Sequence, residues 1–505
     1  MTATASALRV GIAASLALLL AGCAVGPDYR TPSLAMPVSW KGEAAKTRPA
    51  RPQLSQWWRN LGDPLLNALV DEAVAGNLDV ASAKAAIREA RATRRQAVGG
   101  LFPTVDGTAD ADRTKTAATQ TGTGASVTAS TFQSGFDASW ELDLFGATRR
   151  EVEAATYGVD AANEELRSTL LTLVGDVAQN YVEARGYQAR IALARRTAAS
   201  QRETAGLTRQ KLEAGSASSV DAANAAGLAA TTAAEIPSLE SSLAQSIHRL
   251  GVLTGRSPAS LSPRMAATKP IPSPRRPPAA GLPADVLLTR PDVRRAERQL
   301  AQYTAKIGQA EAALYPSVSL TGSISTTSSK IGDLAKRSTI GWSYGPSVNV
   351  PLFQGGSLRA AVDVAKAQRD QYFVAFKASV LTALEDVENA LVSLAKERQR
   401  AGQLATAASN YREAARLARE LYRAGSSDFL DVLDAERSAF EAEDALLQSR
   451  VLAATDYVAL NKALGGGWDR PVDVSKPEVV DVATGPRLGG QVVVASRPPP
   501  SARSR

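Results

Sequence analysis

The chain has little of the chemistry that enzymes and metal sites require. Its 505 residues include one cysteine and one histidine, and only 5% of them are aromatic. Zinc sites and nucleophile–base pairs need several such side chains brought together, so we expect neither an enzyme nor a resident metal or cofactor. His248 lies in a helical stretch, and we interpret it as a structural residue. The scarcity of aromatic residues also disfavours a large conventional core.

Dense basic runs and long apolar segments are missing as well. The net charge of +8 is spread among many acidic residues, and no aromatic stacking platform accompanies it. Nucleic acid is therefore not expected as a partner. The apolar run from Val10 to Leu20 is too short to span a bilayer as a stable helix.

The N-terminus has the pattern of a lipoprotein signal peptide. Arg9 precedes the apolar run, which ends in Leu20-Ala21-Gly22-Cys23. This ending resembles the lipobox of bacterial lipoproteins, whose cysteine takes a diacylglyceryl group and becomes the acylated N-terminus. We predict a signal peptide over 1–22, a covalent lipid on Cys23 and a lipidated arm over 23–58. The alternative is a free cysteine in an unstructured leader.

The residue after Cys23 bears on the destination of the chain. Ala24 stands where many enteric lipoproteins that remain at the inner membrane carry an aspartate. The lipobox resemblance therefore points to the outer membrane, with the chain anchored by lipid.

Most of the remaining chain repeats itself with a period of about 210 residues. Leu101-Phe102-Pro103 returns as Leu314-Tyr315-Pro316, and Ala214-Gly215-Ser216 returns as Ala424-Gly425-Ser426. Further landmarks recur in the same order at similar offsets, which indicates a duplicated structural unit. Each copy places a hairpin of alternating polar and apolar residues between long, alanine-rich helical stretches.

The repeat sets the predicted boundaries. Repeat 1 and its parts are predicted over 59–255, with a β-hairpin over 103–145 and a helical hairpin whose tip lies near 215–221. Repeat 2 and its parts are predicted over 284–468, with a β-hairpin over 316–353 and a helical tip near 425–434. The segments outside the repeats are a proline-rich linker over 256–283 and a tail over 469–505 that we expect to be largely disordered.

The predicted strands carry apolar and polar side chains at alternate positions. In the first hairpin Phe136 and Trp140 occupy even positions, whereas Asp137 and Glu141 occupy odd ones. Further alternating runs lie around Val105, Leu320 and Trp342. Half-buried strands of soluble sheets show the same alternation as strands of membrane barrels. We favour the membrane because the polar side is charged and the sequence predicts no second sheet to cover the apolar side.

Four strands per chain are too few to close a membrane barrel. Known barrels start at about eight strands, and an open edge in hydrocarbon leaves backbone groups without partners. Copies of the chain must therefore associate. Two copies would supply about eight strands, whereas three would supply about twelve and leave room for a pore.

Several segments along the mature chain carry a family resemblance. They are Cys23-Ala24-Val25-Gly26-Pro27-Asp28-Tyr29, Trp140-Glu141-Leu142-Asp143-Leu144-Phe145-Gly146, Tyr422-Arg423-Ala424-Gly425 and Lys462-Ala463-Leu464-Gly465-Gly466-Gly467-Trp468, together with the run 282–292. With these segments the chain resembles the outer-membrane factor family, the TolC-like channels of tripartite efflux pumps, and in particular its NodT-type lipoproteins.

The resemblance implies both a fold and a function. The implied fold is an α+β membrane protein, a homotrimer whose 12-stranded β-barrel, with four strands per chain, joins a periplasmic α-helical barrel. The implied function is a passive, gated conduit for small molecules across the periplasm and outer membrane. The implied partners are a periplasmic adaptor (membrane fusion protein), an inner-membrane pump of the resistance-nodulation-division type and outer-membrane lipid.

The resemblance also implies a periplasmic gate. Leu430, Asp431 and Asp434 follow the Gly425 turn at the spacing of the family's constriction rings, and Asp221 holds the corresponding place in repeat 1. The alternative is that Asp428, Asp431 and Asp434 only favour a helix start through capping and the helix dipole. Ser427 departs from the family pattern, since some relatives carry a gate-tying arginine there.

Two other functions stay open at this point. A conduit for type I protein secretion would share the fold. A lipid-anchored periplasmic coiled-coil scaffold or adaptor would instead have soluble hairpins.

Overall fold

The structure is a computed structural model that describes residues 24–37, 39–40, 54–120, 122, 125–274, 289–334, 336–482 and 485–488. The predicted signal peptide, Cys23 and the end of the predicted linker lie outside the described residues. The described chain belongs to two compact units. Unit 1 comprises Met1–Ser33, Glu89–Ala162 and Arg295–Ala378, and unit 2 comprises Leu34–Arg88, Asn163–Arg294 and Ser379–Arg505.

Regular structure follows the predicted order. The described helices are α1 (Pro64–Gly76), α2 (Leu78–Gly99), α3 (Ala147–Glu213), α4 (Ser219–Leu253), α5 (Ser262–Met265), α6 (Pro291–Ala312), α7 (Ser357–Ala424) and α8 (Phe429–Ala463). The described strands are β1 (Thr104–Thr116), β2 (Val127–Leu142), β3 (Ser317–Ser328), β4 (Ile340–Asn349), β5 (Val479–Val482) and β6 (Gly485–Leu488).

Unit 1 contains a four-stranded antiparallel sheet in the order β1-β2-β3-β4. Repeat 1 supplies β1 and β2, and repeat 2 supplies β3 and β4. The two hairpins join because β2 pairs with β3, from Phe132 opposite Ser328 to Leu142 opposite Val318. The register is continuous along every strand pair, so alternate residues stay on one face across the whole sheet.

The two faces of this sheet differ sharply in polarity. One cross-strand row consists of Gly107, Phe136, Ile324 and Trp342. The adjacent row on the opposite face consists of Asp106, Asp137, Ser323 and Ser343. The structure thus confirms the predicted alternation and adds that all four strands share one apolar face and one polar face.

In unit 2 both helical hairpins turn at a glycine. Gly215 follows α3 and Gly425 follows α7, with φ angles of +75° and +76°. Glycine adopts this left-handed region without the steric cost of a side chain. The next residue closes each helix end in the same way, because Ser216 N donates to Lys211 O and Ser426 N to Leu421 O, both at 2.8 Å.

The two repeats also share their closing contact in unit 2. Asn77 donates from Nδ2 to the Leu253 carbonyl at 3.0 Å, which ties the start of α2 to the end of α4. In repeat 2, Arg290 donates from Nη1 to the Ala463 carbonyl at 3.2 Å, just before α6 and at the end of α8. The duplication therefore preserves a contact although the residue that makes it has changed.

The start of repeat 1 and the tail both differ from the expected pattern. The long helical stretch expected ahead of the first β-hairpin is two helices, because Asn77 ends α1 and its Oδ1 accepts hydrogen bonds from the backbone N–H groups of Asp79 and Val80. The tail also differs from the prediction in its described part. There β5 and β6 form a hairpin, and Glu478 pairs with Lys84 at 2.6 Å. Residues 489–505 lie outside the described residues.

Among the described residues there is neither a helix that could span a membrane nor a cluster of side chains that could hold a metal ion. None of the described helices is both long enough and apolar enough to cross a membrane. No group of three or more His, Cys, Asp and Glu side chains in the described ranges could hold a metal ion. His248 lies exposed in α4.

Candidate functional site

The apolar face of the sheet is strongly exposed in a single chain. Trp342 is 70% exposed, Phe136 62% and Ile324 50%, although the three lie side by side in one cross-strand row. Contiguous exposed apolar surface of this kind marks a membrane or protein contact. The face therefore needs an apolar environment that the described part of the chain does not supply.

The opposite face is acidic near β1 and β2. Asp106 lies directly opposite Asp137, and Asp110, Asp112 and Glu141 occupy the same face. Like charges opposite one another destabilise a strand pair unless water screens them. A water-filled lumen provides that screening, as the polar interior of outer-membrane barrels does.

The tip of the second helical hairpin is held by a small apolar cluster in unit 2. Tyr422 at the end of α7 contacts Phe429 at the start of α8, with ring centroids 5.9 Å apart, and Val432 and Ala225 complete the cluster. All four side chains are buried. The start of α8 is therefore fixed in orientation by residues 429 and 432.

This orientation turns the predicted gate residues outward. Leu430 is 62% exposed, and Asp431 and Asp434 are exposed as well. Since residues three and four apart share a helix face, Leu430 and Asp434 lie together, beside Asp431. Neither carboxylate makes a hydrogen bond or ion pair within the described part of the chain. The structure thus brings the three repeat 2 residues together on one free surface.

Asp221 in repeat 1 is in a different situation. Its carboxylate accepts hydrogen bonds from Ser218 N and Ser218 Oγ, and its own N–H donates to Ser218 Oγ, which forms a capping box. At the matching start of α8, the N-cap Asp428 makes no side-chain capping bond. Capping thus accounts for Asp221 and does not account for Asp428. Ser427 has a buried Oγ without a hydrogen-bond partner in the described part of the chain.

A cation not singled out in the sequence ties the two tips together. Lys211 donates from Nζ to the Tyr422 carbonyl, and Nζ lies 4.0 Å from the centroid of the Tyr422 ring. The Tyr422 hydroxyl in turn donates to Thr208 Oγ1 at 3.1 Å. These bonds connect α3 with the end of α7 immediately below the turn.

A buried carboxyl group near the tip was also missed. Glu436 is 4% exposed and accepts hydrogen bonds from Thr204 Oγ1 at 3.1 Å and Arg419 Nη1 at 3.4 Å. Burial raises the pKa of Glu436 above the ordinary value of 4.5, although the charge of Arg419 opposes this shift. The available signal was its position, since residues 429, 432 and 436 share one buried helix face.

The raised pKa of Glu436 predicts that the tip loses stability as pH rises. The folded chain holds this proton to higher pH than the unfolded chain, so the group's favourable contribution is complete below pH 4.5 and declines as pH passes the folded pKa. We expect Glu436→Gln to remove this decline and to protect the tip at neutral pH. Amide protection factors over 429–440, compared at pH 5 and pH 7.5, measure the stability of the tip.

Glu441→Gln provides the control, because Glu441 forms an exposed pair with Arg437. The Glu441→Gln variant should show the same change in amide protection between the two pH values as the parent. An identical pH response in the parent and in Glu436→Gln would contradict the prediction.

The N-terminal arm is fastened to unit 1 through a buried arginine. Arg150 donates to the carbonyls of Val25 and Gly26 at 3.1 Å each and to Asp28 Oδ1 at 2.9 Å. Val25 N donates to the Phe145 carbonyl at 3.1 Å, shortly after β2. The arm therefore begins beside the end of β2 that leads into α3.

A four-stranded sheet with one apolar and one charged face, in a chain of paired long helices, defines a class: a subunit of an outer-membrane channel. The family model described as Outer membrane efflux protein matches residues 69–256 and 282–466, which correspond to the two repeats. The chain belongs to this outer membrane efflux protein family, which confirms the predicted family, its efflux function and its outer-membrane location.

Relatives with established names cover nearly the whole chain. Nodulation protein T from Rhizobium leguminosarum bv. trifolii is 36% identical over 465 residues, covering 90% of this chain and 96% of the relative. The solvent efflux pump outer membrane protein SrpC from Pseudomonas putida is 33% identical over 464 residues, covering 89% and 97%.

Solved structures agree with this assignment. The outer-membrane channel OprN has a TM-score of 0.82 and is 35% identical to this chain. The match covers 88% of this chain and 100% of that chain. The open state of the outer membrane channel MtrE from Neisseria gonorrhoeae has a TM-score of 0.77 and 30% identity, with 88% and 98% covered. The likeness confirms the predicted α+β fold class.

Proposed function

We propose that three copies of this chain form the outer-membrane conduit of a tripartite efflux system. The conduit is passive and gated, and it receives small molecules from a periplasmic adaptor and an inner-membrane pump of the resistance-nodulation-division type. The register of the sheet carries this proposal, because it places Phe136 and Trp342 on one face and Asp106 and Asp137 on the other. The efflux role named for the Pseudomonas putida relative supports the same direction of transport.

The open edges of the sheet support association of copies. In the described sheet β1 pairs only with β2, and β4 only with β3. In hydrocarbon each unpaired backbone group costs several kcal/mol, so the edges must pair with strands of other copies. With four strands per chain, three copies give twelve strands and a lumen wide enough for a pore, whereas the interior of about eight strands fills with side chains.

The test of this proposal combines mass and conductance. The full-length protein, extracted from membranes in neutral detergent, is weighed by native mass spectrometry and then added to a planar bilayer. We expect a trimer that forms stable, ion-conducting channels. A water-soluble monomer without conductance would contradict the proposal, and a conducting dimer would contradict the number of copies.

We further propose that a covalent lipid on Cys23 anchors the chain. The next residue supports this placement, because a Cβ built on Gly146 would lie 2.7 Å from the Ala24 Cβ, so Ala24 packs closely beside the end of β2. Acyl chains on the preceding residue would then enter the membrane beside the sheet. Each buried methylene contributes about 0.8 kcal/mol, so several chains give stable anchoring.

Replacing the cysteine tests the anchor separately from the channel. Cys23→Ser is expected to lack the acyl additions that intact-mass spectrometry finds on the membrane-extracted parent, and to be washed more readily from membranes. The trimer should remain, since the edge strands β1 and β4, which would pair with other copies, lie far from Cys23 in the sequence. A parent chain without acyl mass would contradict the anchor and leave the channel proposal standing.

We propose that Leu430, Asp431 and Asp434 narrow the closed conduit. Their exposure and the lack of partners for both carboxylates in the described chain support this role. Three copies would bring six such carboxylates around one axis, which favours cations and stores mutual repulsion. Asp221 would add a further carboxylate from repeat 1 of each copy, one whose oxygen also accepts hydrogen bonds from Ser218.

The gate predicts a change in ion selectivity. Asp431→Ala with Asp434→Ala is expected to lower the cation-over-anion permeability ratio and to raise the conductance of the closed state in planar bilayers. Asp428→Ala is the matched control, since Asp428 is exposed at the same tip and makes no capping bond. Unchanged conductance and selectivity in the double variant would count against the gate.

A further inference from the structure

Two cations lie on the apolar face of the sheet near its loop end. Arg113 and Lys115 alternate in phase with Ala109 and Ala111, and their cross-strand partners on β2 are Ser130 and Thr128. The register is continuous along this pair, so both cations share a face with Phe132 and Phe136 rather than with the aspartates. Both are exposed. The apolar face is therefore bordered by positive charge at one end.

The position of these cations along the membrane normal follows from the strand geometry. The apolar rows extend along β2 from Leu142 to Phe132, a length of about 34 Å at 3.4 Å per residue. Strands of outer-membrane barrels tilt by about 40°, which reduces this length to about 26 Å along the membrane normal and matches the usual apolar band. Arg113 lies one row beyond that band and Lys115 two rows beyond it. Both cations thus reach the level of lipid headgroups.

The described residues offer these cations no counter-charge. Asp110 and Asp112 alternate onto the opposite face of β1, and the directly opposed residues on β2 are uncharged. Within the described ranges neither Arg113 nor Lys115 makes a hydrogen bond or ion pair. A cation at the membrane surface without a protein partner finds its counter-charge in anionic lipid.

We propose that Arg113 and Lys115 form a binding site for the phosphate groups of an outer-leaflet lipid headgroup. The inference rests on the proposed function, since it requires the sheet to span the outer membrane. The β1–β2 loop lies at the end of the strands opposite to α2 and α3, which places the site in the outer leaflet. The guanidinium of Arg113 suits bidentate contact with a phosphate, while Lys115 adds a point charge and Phe132 contacts the adjoining acyl region.

The chain itself offers a matched variant for the test. Exchanging neighbours, as Arg113→Thr with Thr114→Arg and Lys115→Thr with Thr116→Lys, keeps composition and net charge but moves both cations to the polar face. The parent and this face-exchanged variant, both full length in neutral detergent, are titrated with a phosphorylated diglucosamine lipid and with the same lipid after removal of its phosphates. Native mass spectrometry counts the bound lipids, and planar bilayers record conductance.

The parent is expected to bind the phosphorylated lipid roughly 30-fold more tightly than the dephosphorylated one, the preference expected for two surface cations. The face-exchanged variant should lose that preference while it still assembles and conducts. Equal preference in both proteins would overturn the inference, as would displacement of the lipid by an equal concentration of inorganic phosphate. A parent that conducts without preferring the phosphorylated lipid would refute this site alone, whereas a parent that neither assembles nor conducts would refute the proposed function.

Discussion

Ile324→Lys is expected to prevent stable insertion of the chain into a bilayer, whereas Ser323→Lys, one residue away, is expected to be tolerated. Ile324 lies in the middle of the apolar face between Phe136 and Trp342. A lysine at the midplane of an outer-membrane barrel costs about 2 to 4 kcal/mol on the lipid face. In a trimer this cost recurs in every copy, so assembly should fail.

Ser323 provides the control because it lies on the other face of the same strand. Its cross-strand neighbours are Asp137 and Ser343. A lysine there would meet a carboxylate in a wet lumen, which is favourable for the strand pair. The two variants therefore introduce the same residue type at neighbouring positions of one strand and differ in the face that carries the lysine.

Heat-modifiable migration of the protein folded into phospholipid vesicles measures the outcome. The parent and Ser323→Lys are expected to migrate as folded trimers before heating, and Ile324→Lys as an unfolded chain. If both lysine variants folded equally well, the assignment of the two faces would be wrong. If only Ser323→Lys failed, the faces would be reversed.

The sequence predicted the strands well because their signal is local. Alternation such as Phe136-Asp137 and Trp140-Glu141 fixes both the strand and the side of each residue. The pairing of β2 with β3 carries no such signal, since those strands are far apart in the chain and any apolar-faced strand would fit by pattern alone. The repeat also located the tips of the two helical hairpins, because each tip depends on a local signal, the glycine at 215 or at 425.

The features that sequence reasoning missed depend on tertiary partners. The pairing of Lys84 with Glu478 orders the start of the tail, although neither residue forms a local pattern. Spacing alone could not separate Asp221 from Asp431, because both occupy the first turn of a helix. The difference lies in Ser218, whose side chain completes a capping box for Asp221, while Asp428 makes no equivalent bond at α8.

The second large effect is expected at a buried arginine in unit 2. Arg185 is fully buried, and its guanidinium donates to the Tyr181 hydroxyl at 2.9 and 3.1 Å, to Gln188 Oε1 at 2.7 Å and to the Ala267 carbonyl at 2.7 Å. The Tyr181 hydroxyl donates to Asp63 Oδ2 at 2.5 Å. Burial and the bond to Asp63 raise the pKa of Tyr181, so the phenol keeps its proton and remains a donor.

This network fastens two separate segments, at Asp63 and at Ala267, to the middle of α3. Asp63 also caps α1, because its Oδ1 accepts a hydrogen bond from Leu65 N at 2.9 Å. Ala267 follows the short helix α5 and lies within the predicted linker over 256–283. Removing the guanidinium would leave the Gln188 and Ala267 oxygens unpaired in a dry site and Asp63 without its nearby cation.

Arg185→Leu is therefore expected to destabilise unit 2 by about 3 to 5 kcal/mol, the usual cost of deleting one member of a buried charged network. Arg195→Leu, ten residues further along α3, should cost less than about 1 kcal/mol, because Arg195 is 63% exposed and its partner Glu240 is 46% exposed. Hydrogen exchange over 64–76 and 262–267 measures both, since these segments meet α3 through the network. Equal protection of these amides in the two variants would show that burial of Arg185 does not stabilise the unit.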